Sequence, residues 1–193
     1  GAEGKYAEAE PLYQRSLSIL EKALGADHIQ VALSQINLAD LYKLQKNALK
    51  AERLYKRSME IEVDAFGPNH PQVALIQRAL ADLYTIEEKY TKAEQFNKQA
   101  LANIEKALGP NHPETGESLY KMAEMYYLKK NYNKAIELLN RSLLIKENFY
   151  GNENINLLPT LELMFNLTKT QGDKKKLKVL KSRIKRIRSK DQS

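Results

Sequence analysis

The chain has 193 residues, 42% of them hydrophobic and 28% charged, which places it among soluble globular proteins of one or two domains. No window approaches the roughly 18–20 uninterrupted apolar residues of a membrane span, the opening GAEGKYAEAE is unlike a signal peptide, and the absence of cysteine excludes disulfides and thiolate metal sites. Without a span, a signal peptide or cysteine the chain is expected to be cytoplasmic, and its net charge of +7 is local: residues 174–190 hold ten Lys/Arg and no acid, while residues 1–172 hold 21 bases against 22 acids, a near-neutral body with a basic end.

The first predicted element is a helix over residues 5–24. It reads as the second helix of a repeat whose first helix the sequence does not contain, so its face with Tyr6, Ala9 and Tyr13 is expected to be partly bare and to favour self-association. GADHI follows at Gly25, and GPNHP, GPNHP and GNENI follow at Gly67, Gly109 and Gly151, each 42 residues after the last. A second series keeps the same phase, with Ala9, Ala51, Ala93 and Ala135 in YAEAE, ALKAE, YTKAE and YNKAI. The chain therefore divides into a truncated unit at 1–24, repeats at 25–66, 67–108 and 109–150, and a divergent capping unit at 151–193.

Within each repeat apolar and small residues recur at separations of three, four and seven, as in Val31, Leu38, Leu41 and Tyr42, which sets each group on one helix face. Each repeat is thus a pair of helices. In the unit opening at Gly67 they are predicted over residues 71–87 and 90–108. The glycines follow second helices, where a left-handed residue is wanted, and Asn69-His70-Pro71 offers a cap and a first-turn proline. His28, His70 and His112 hold one linker place in successive repeats, about 10 Å or more apart by helix packing, so they are expected to cap helices rather than share a metal ion.

A period of this length suits HEAT-type and tetratricopeptide hairpins, and small residues decide between them. Leu38-Ala39-Tyr42, Leu80-Ala81-Tyr84 and Met122-Ala123-Tyr126 repeat a large-small-aromatic pattern, followed by the second-helix alanines and by Ser58, Ala100 and Ser142. The alanines let two helices approach while the tyrosine fills the gap beside them. In the last unit the small places become Phe165, Leu177 and Ile184, which marks a cap, and Pro159 implies a late start or a kink in its first helix.

On these residues the chain resembles the tetratricopeptide repeats of kinesin light chains and nephrocystin-3-like proteins. The segment KYAEAEPLYQRSLSILEKALGADHIQVALSQINLADLY carries the likeness, which extends over residues 4 to about 151. It implies an all-α, right-handed superhelical solenoid of tetratricopeptide hairpins with about nine helices, acting as a scaffold for protein partners. In kinesin light chains an asparagine precedes the Leu-Ala pair in repeat after repeat; Asn37 matches, while Ala79 and Lys121 stand in the next two. The constellation with which other tetratricopeptide domains clamp a terminal carboxylate is replaced by Ile36, Asp40 and Ala79 at three of its places.

No cysteine, glycine-rich phosphate loop or HExxH motif is present, so no enzyme and no cofactor is expected. Tyr120 and Tyr127 differ from the periodic tyrosines in facing the inner groove by register. With Asn37, Asp40, Lys43, Arg78, Asp82, Lys121, Glu124, Asn166 and Lys169 they form a mixed polar and aromatic lining suited to an extended peptide or protein partner. The basic end sets Leu177, Leu180, Ile184 and Ile187 on one face of a helix, with its cations around them. It reads as a solvating cap, or alternatively as an adaptor surface for nucleic acid or another anionic surface.

Overall fold

A computed structural model describes the backbone of residues 2–190 and the side chains from residue 8 to residue 190. Among the described residues there are nine α-helices and no strand. They are α1 (Ala2–Leu24), α2 (Ile29–Leu44), α3 (Ala48–Phe66), α4 (Pro71–Ile86), α5 (Tyr90–Leu108), α6 (Pro113–Leu128), α7 (Tyr132–Tyr150), α8 (Leu158–Gln171) and α9 (Lys174–Lys190). A short 3-10 turn, Ile155–Leu157, precedes α8. The helix pair predicted in the Gly67 unit is α4 and α5. The chain divides into two compact units, Gly1–Asn103 and Ile104–Ser193, with α5 contributing to both.

The small residues of the repeat are where helices touch. Ala39, Ala81 and Ala123 on first helices and Ala51, Ala93 and Ala135 on second helices are all fully buried, as are Ser58 and Ser142. Tyr42 and Tyr84 fill the space beside them, and each does a second thing that apolar periodicity does not announce. In the first unit the Tyr42 hydroxyl donates to Glu10 Oε1 at 2.9 Å, and the Tyr84 hydroxyl donates to Glu52 Oε1 at 2.7 Å. Those glutamates belong to the Ala-Glu pairs at 9–10 and 51–52, so each tyrosine reaches back to the second helix of the preceding hairpin. The hydrogen bond from Tyr42 holds the Glu10 carboxyl below its usual range, with Gln45 and Lys50 adding to it.

Two kinds of turn set the period. Between hairpins, Gly67 and Gly151 have φ of 85° and 84° with ψ of 163° and 165°. Their φ is positive, as expected, but ψ places them beyond the left-handed helical well, in a region open essentially to glycine alone. The histidine three residues after each of the first three linker glycines then caps the next helix: His28, His70 and His112 accept through Nδ1 from the amides of Gln30, Gln72 and Glu114 at 3.2, 3.4 and 3.2 Å. Asn154 takes that place in the last unit and caps the 3-10 turn through the amide of Asn156. Pro159 therefore sits at the start of a late-beginning α8 and not within a kink.

Inside hairpins the turn residue is αL: Lys46 (φ 60°), Glu88 (φ 58°) and Lys130 (φ 61°), with Gly172 (φ 75°) at the same place in the last hairpin. A side chain in that region costs about 1 kcal/mol relative to glycine. Lys130→Gly is accordingly expected to raise unfolding stability by about 0.5–1 kcal/mol in urea titration, and Gly172→Ala to lower it by a similar amount.

One core register is inconsistent. Counting by the repeat, positions 35, 77, 119 and 161 are Gln35, Gln77, Leu119 and Leu161, and positions 61, 103, 145 and 187 are Ile61, Asn103, Ile145 and Ile187. Leu119, Leu161, Ile145 and Ile187 are all buried, and Gln77 is satisfied by the Asn103 amide at 3.0 Å. Gln35 is 5% exposed, and its Oε1 has no hydrogen-bond partner among the described residues. An unpaired buried acceptor costs about 1–3 kcal/mol, so Gln35→Leu should raise stability by about 1–2 kcal/mol in the same titration.

Candidate functional site

The face expected to bind a partner comes from the first helices of the hairpins, and each compact unit carries its own part of it. In the first unit, α2 presents Asn37, Asp40 and Lys43, and α4 presents Arg78 and Asp82. Asp40 Oδ1 accepts from Lys43 Nζ at 2.9 Å and from the hydroxyl of Tyr55, which stands fully buried on α3. Burial, then the bond to Asp40 and the charge of Asp82, push the Tyr55 phenol far above its ordinary range, so it remains a donor. Asp40 is thereby held at the boundary between core and solvent. Asn37 stands exposed, and Arg78 and Asp82 are half-buried.

In the second unit, α6 presents Tyr120, Lys121, Glu124 and Tyr127 as a connected group. The Tyr120 hydroxyl donates to Glu124 Oε1 at 2.7 Å, and Lys121 Nζ donates to Glu124 Oε2 at 2.9 Å. Tyr127 packs on Tyr132 of α7 with ring centroids 5.9 Å apart. The glutamate is the fixed point of this group, at the repeat position held by Asp40 and Asp82 in the first unit.

Beneath Tyr120 lies a residue that sequence reasoning passed over. Lys146 of α7 is 3% exposed, yet its Nζ reaches Glu117 Oε2 at 2.7 Å and stands 5.1 Å from the centre of the Tyr120 ring. Its stem packs closely over Gly116, where a Cβ would meet Lys146 Cγ at 3.1 Å, tighter than ordinary contact. The preceding repeats hold Glu62 and Ile104 at this position, so no periodic signal marked it. The only visible sign was an unrepeated lysine on an otherwise apolar helix face.

Asn166 and Lys169 are exposed on α8. Asn166 lines a cleft of about 520 Å³ between α8 and α9, walled by Phe165 and Ile184 and rimmed by Lys181, Lys185 and Arg188. Phe165 and Ile184 are two of the large residues that replace the small ones of the earlier hairpins.

Helix α9 divides its cations between two tasks. Arg183 pairs with Glu147 at 2.6 Å, Arg186 with Glu153 at 3.2 Å, and Arg188 with Glu162 at 2.7 Å, and Lys190 at the helix end joins Glu153 as well. Lys174, Lys178, Lys181 and Lys185 have no ion pair among the described residues, and helical geometry sets all four within about 60° of arc. Leu180, Ile184 and Ile187 are buried, as the capping role requires.

In α1, Tyr13 is exposed and Ala9 half-buried, while the side chain of Tyr6 lies outside those described. Among the described residues no helix is long and apolar enough to cross a membrane.

The tetratricopeptide repeat family profile matches residues 1–62, 31–106 and 80–148, well over half of the chain. The chain is a tetratricopeptide repeat protein. No curated protein matches it. Among solved structures, this tetratricopeptide chain is similar to the nearly identical TPR-like repeats of a Podosopora anserina protein classed as a kinesin light chain. Identity is 23% over 99% of this chain and 90% of that one, with TM-scores of 0.78 for a singly substituted form and 0.76 for the other structure. It is similar as well to BtubC (BKLC) from P. vanneervenii, at 23% identity and a TM-score of 0.82, over 100% of this chain and 76% of that one. At such identity the likeness is one of fold. Tetratricopeptide arrays are non-catalytic scaffolds for protein interaction, and family membership supports that general role for this chain.

The buried lysine gives a test of how the α6 face is held. Glu117→Ala leaves Lys146 charged and enclosed, and should lower stability by about 2–3 kcal/mol. Lys146→Met keeps the stem and removes the charge, and should change stability by less than about 1 kcal/mol in the same urea titration.

Proposed function

We propose that this protein is an interaction scaffold whose first-helix faces bind an extended segment of a partner protein. The single observation that carries the reading is the group on α6: Tyr120, Lys121 and Glu124 are half-buried and bonded to one another. Charged and aromatic groups held in place before a partner arrives lose little conformational freedom on binding. The lining carries both signs of charge, with Lys121, Lys169 and Glu124 in the second unit and Lys43, Arg78, Asp40 and Asp82 in the first. Salt should therefore weaken the interaction only modestly.

A second reading rests on the stripe of Lys174, Lys178, Lys181 and Lys185 on α9, which have no ion pair among the described residues: an adaptor surface for nucleic acid or another polyanion. That reading requires affinity that falls steeply with ionic strength, with a slope that drops by close to one for each phosphate-contacting lysine removed.

Because Tyr120 is half-buried against Lys146, truncating it would disturb the fold together with the face. A photo-crosslinking amino acid placed at Tyr127 or at Asn166, and at the exposed Glu137 of α7 as a control, avoids that confusion. Protein adducts are expected from 127 and 166 and not from 137. Adducts confined to 137, or to a probe at Lys178, would move the binding surface away from the first-helix face.

A further inference from the structure

The cleft between α8 and α9 occupies, in the last hairpin, the place at which the preceding hairpin receives a helix. Phe165, Lys181, Ile184 and Arg188 line it, and one repeat earlier their places are held by Ala123, Leu139, Ser142 and Lys146. Those four are at most 3% exposed. They lie where α8 packs over α6 and α7, with Thr160 Oγ1 of α8 at 3.5 Å from Lys146 Nζ. In the last hairpin Lys181 and Arg188 are exposed and Phe165 is half-buried, and no helix lies over them among the described residues.

This seat differs from the earlier ones in charge. Where Tyr55, Asn97 and Leu139 lie buried in the preceding hairpins, Lys181 stands. An apolar helix set there would cover a lysine with no counter-charge, which is costly, whereas a helix bringing an acid to that point would pair it. Lys185 stands one turn further along the same rim, and neither lysine has an ion pair among the described residues. Lys178 and Lys174 continue the line at the separations by which a second α-helix repeats the side chains of one face, over about 16 Å in all. Glu162, the acid of the cleft, is already engaged by Arg188 at 2.7 Å, so the charge left on offer has one sign. The half-buried Phe165 adds apolar surface beside it, which a phosphate backbone would leave unused.

We propose that the α8–α9 cleft seats an amphipathic helix of a partner protein, acidic along one edge. Its apolar side lies on Phe165 and its carboxylates meet Lys181 and Lys185, with Lys178 and Lys174 in line for a longer helix. The site rests on the lysines of the second reading and gives them a protein ligand in place of a nucleic acid. Of the residues assigned to the first-helix face it shares Asn166 alone, so the two sites can fail separately.

The test pans the full chain with a phage-displayed library of helical peptides, about 20 residues long so that they hold a helix, randomised along one face. Enriched peptides are then measured on three variants. Lys181→Glu with Lys185→Glu reverses the rim, Phe165→Ala restores the small residue of the earlier hairpins, and Tyr127→Ala reports the first-helix face. The expected peptides carry Asp or Glu beside an apolar stripe. Their affinity falls about tenfold or more in the double reversal and in Phe165→Ala, and is unchanged in Tyr127→Ala. Peptides with those acids replaced by Lys should regain binding to the double reversal. Both reversed lysines are exposed and lack ion pairs, so the melting temperature of that variant should stay near the parent's, which separates lost binding from lost folding. No enrichment, or peptides that bind the double reversal as tightly as the parent, overturns the proposal. So does a short DNA duplex that outcompetes the peptides and loses as much affinity from Lys174→Glu with Lys178→Glu as from the rim reversal, which is the polyanion reading. Dimers in sedimentation that vanish in the double reversal would make the occupant a second copy and overturn it as well. A loss confined to Tyr127→Ala overturns it while leaving the first-helix reading intact.

Discussion

A tyrosine hydroxyl set on the glutamate of the preceding hairpin is the contact on which the rest of the first unit depends. Tyr42 and Tyr84 are buried by the alanines that let the helices meet, so their hydroxyls enter a poorly solvated place and must find acceptors. Glu10 and Glu52 provide them. Apolar packing alone would tolerate a hairpin rotated or slipped by a residue, because one small side chain serves nearly as well as the next. The directional bond does not tolerate it, and it fixes where each first helix lies on the helix before it. Burial raises the Tyr84 phenol far above its ordinary range and the Glu52 bond adds to that rise, so the donor persists across any ordinary pH.

With the register fixed on one side of each first helix, the other side is released from core duty. There the repeat keeps an acid, at Asp40, Asp82 and Glu124, but changes its company each time. Asp40 is held from below by Tyr55, whose place in later repeats is taken by Asn97, Leu139 and Lys181. Glu124 is held from its own helix by Tyr120 and Lys121. A constant anchor with variable surroundings gives each hairpin a different surface at little cost to the stack, which suits a family that recognises many partners with one architecture.

That division explains what could be read in the sequence. Helix positions, turn glycines, histidine caps and small contact residues were legible because each occurs three or four times, and coincidence is averaged out. The late start of α8 was legible from Pro159 alone, since proline restricts the backbone wherever it stands. The face residues were placed on the right helices by register, but their mutual bonds were not visible. Tyr120 with Glu124 is an ordinary helical spacing, and Lys146 with Glu117 joins residues 29 apart that no periodicity links. The unpaired Gln35 was within reach of the sequence, because two registers read side by side set Gln–Ile against Gln–Asn and Leu–Ile. Finding it required following pairs of positions, where the search for repeats follows single ones.

The basic end shows how one segment can serve two requirements without compromise. A final hairpin must cover apolar surface with a helix whose outer side meets water, and Leu180, Ile184 and Ile187 accomplish the covering. Orientation then falls mainly to the arginines. A guanidinium can bond a carboxylate and a carbonyl together, as Arg183 does with Glu147 and the Asn152 carbonyl oxygen at 2.7 Å. Of the lysines on this helix, Lys190 joins them at Glu153, whereas Lys174, Lys178, Lys181 and Lys185 stand along a separate stripe. Had the seven positive charges in excess been a by-product of docking the cap, the stripe would share the internal pairs. Its separation means that these four charges could be neutralised without loosening α9, so the charge of this end and its structural role are independent properties of one helix.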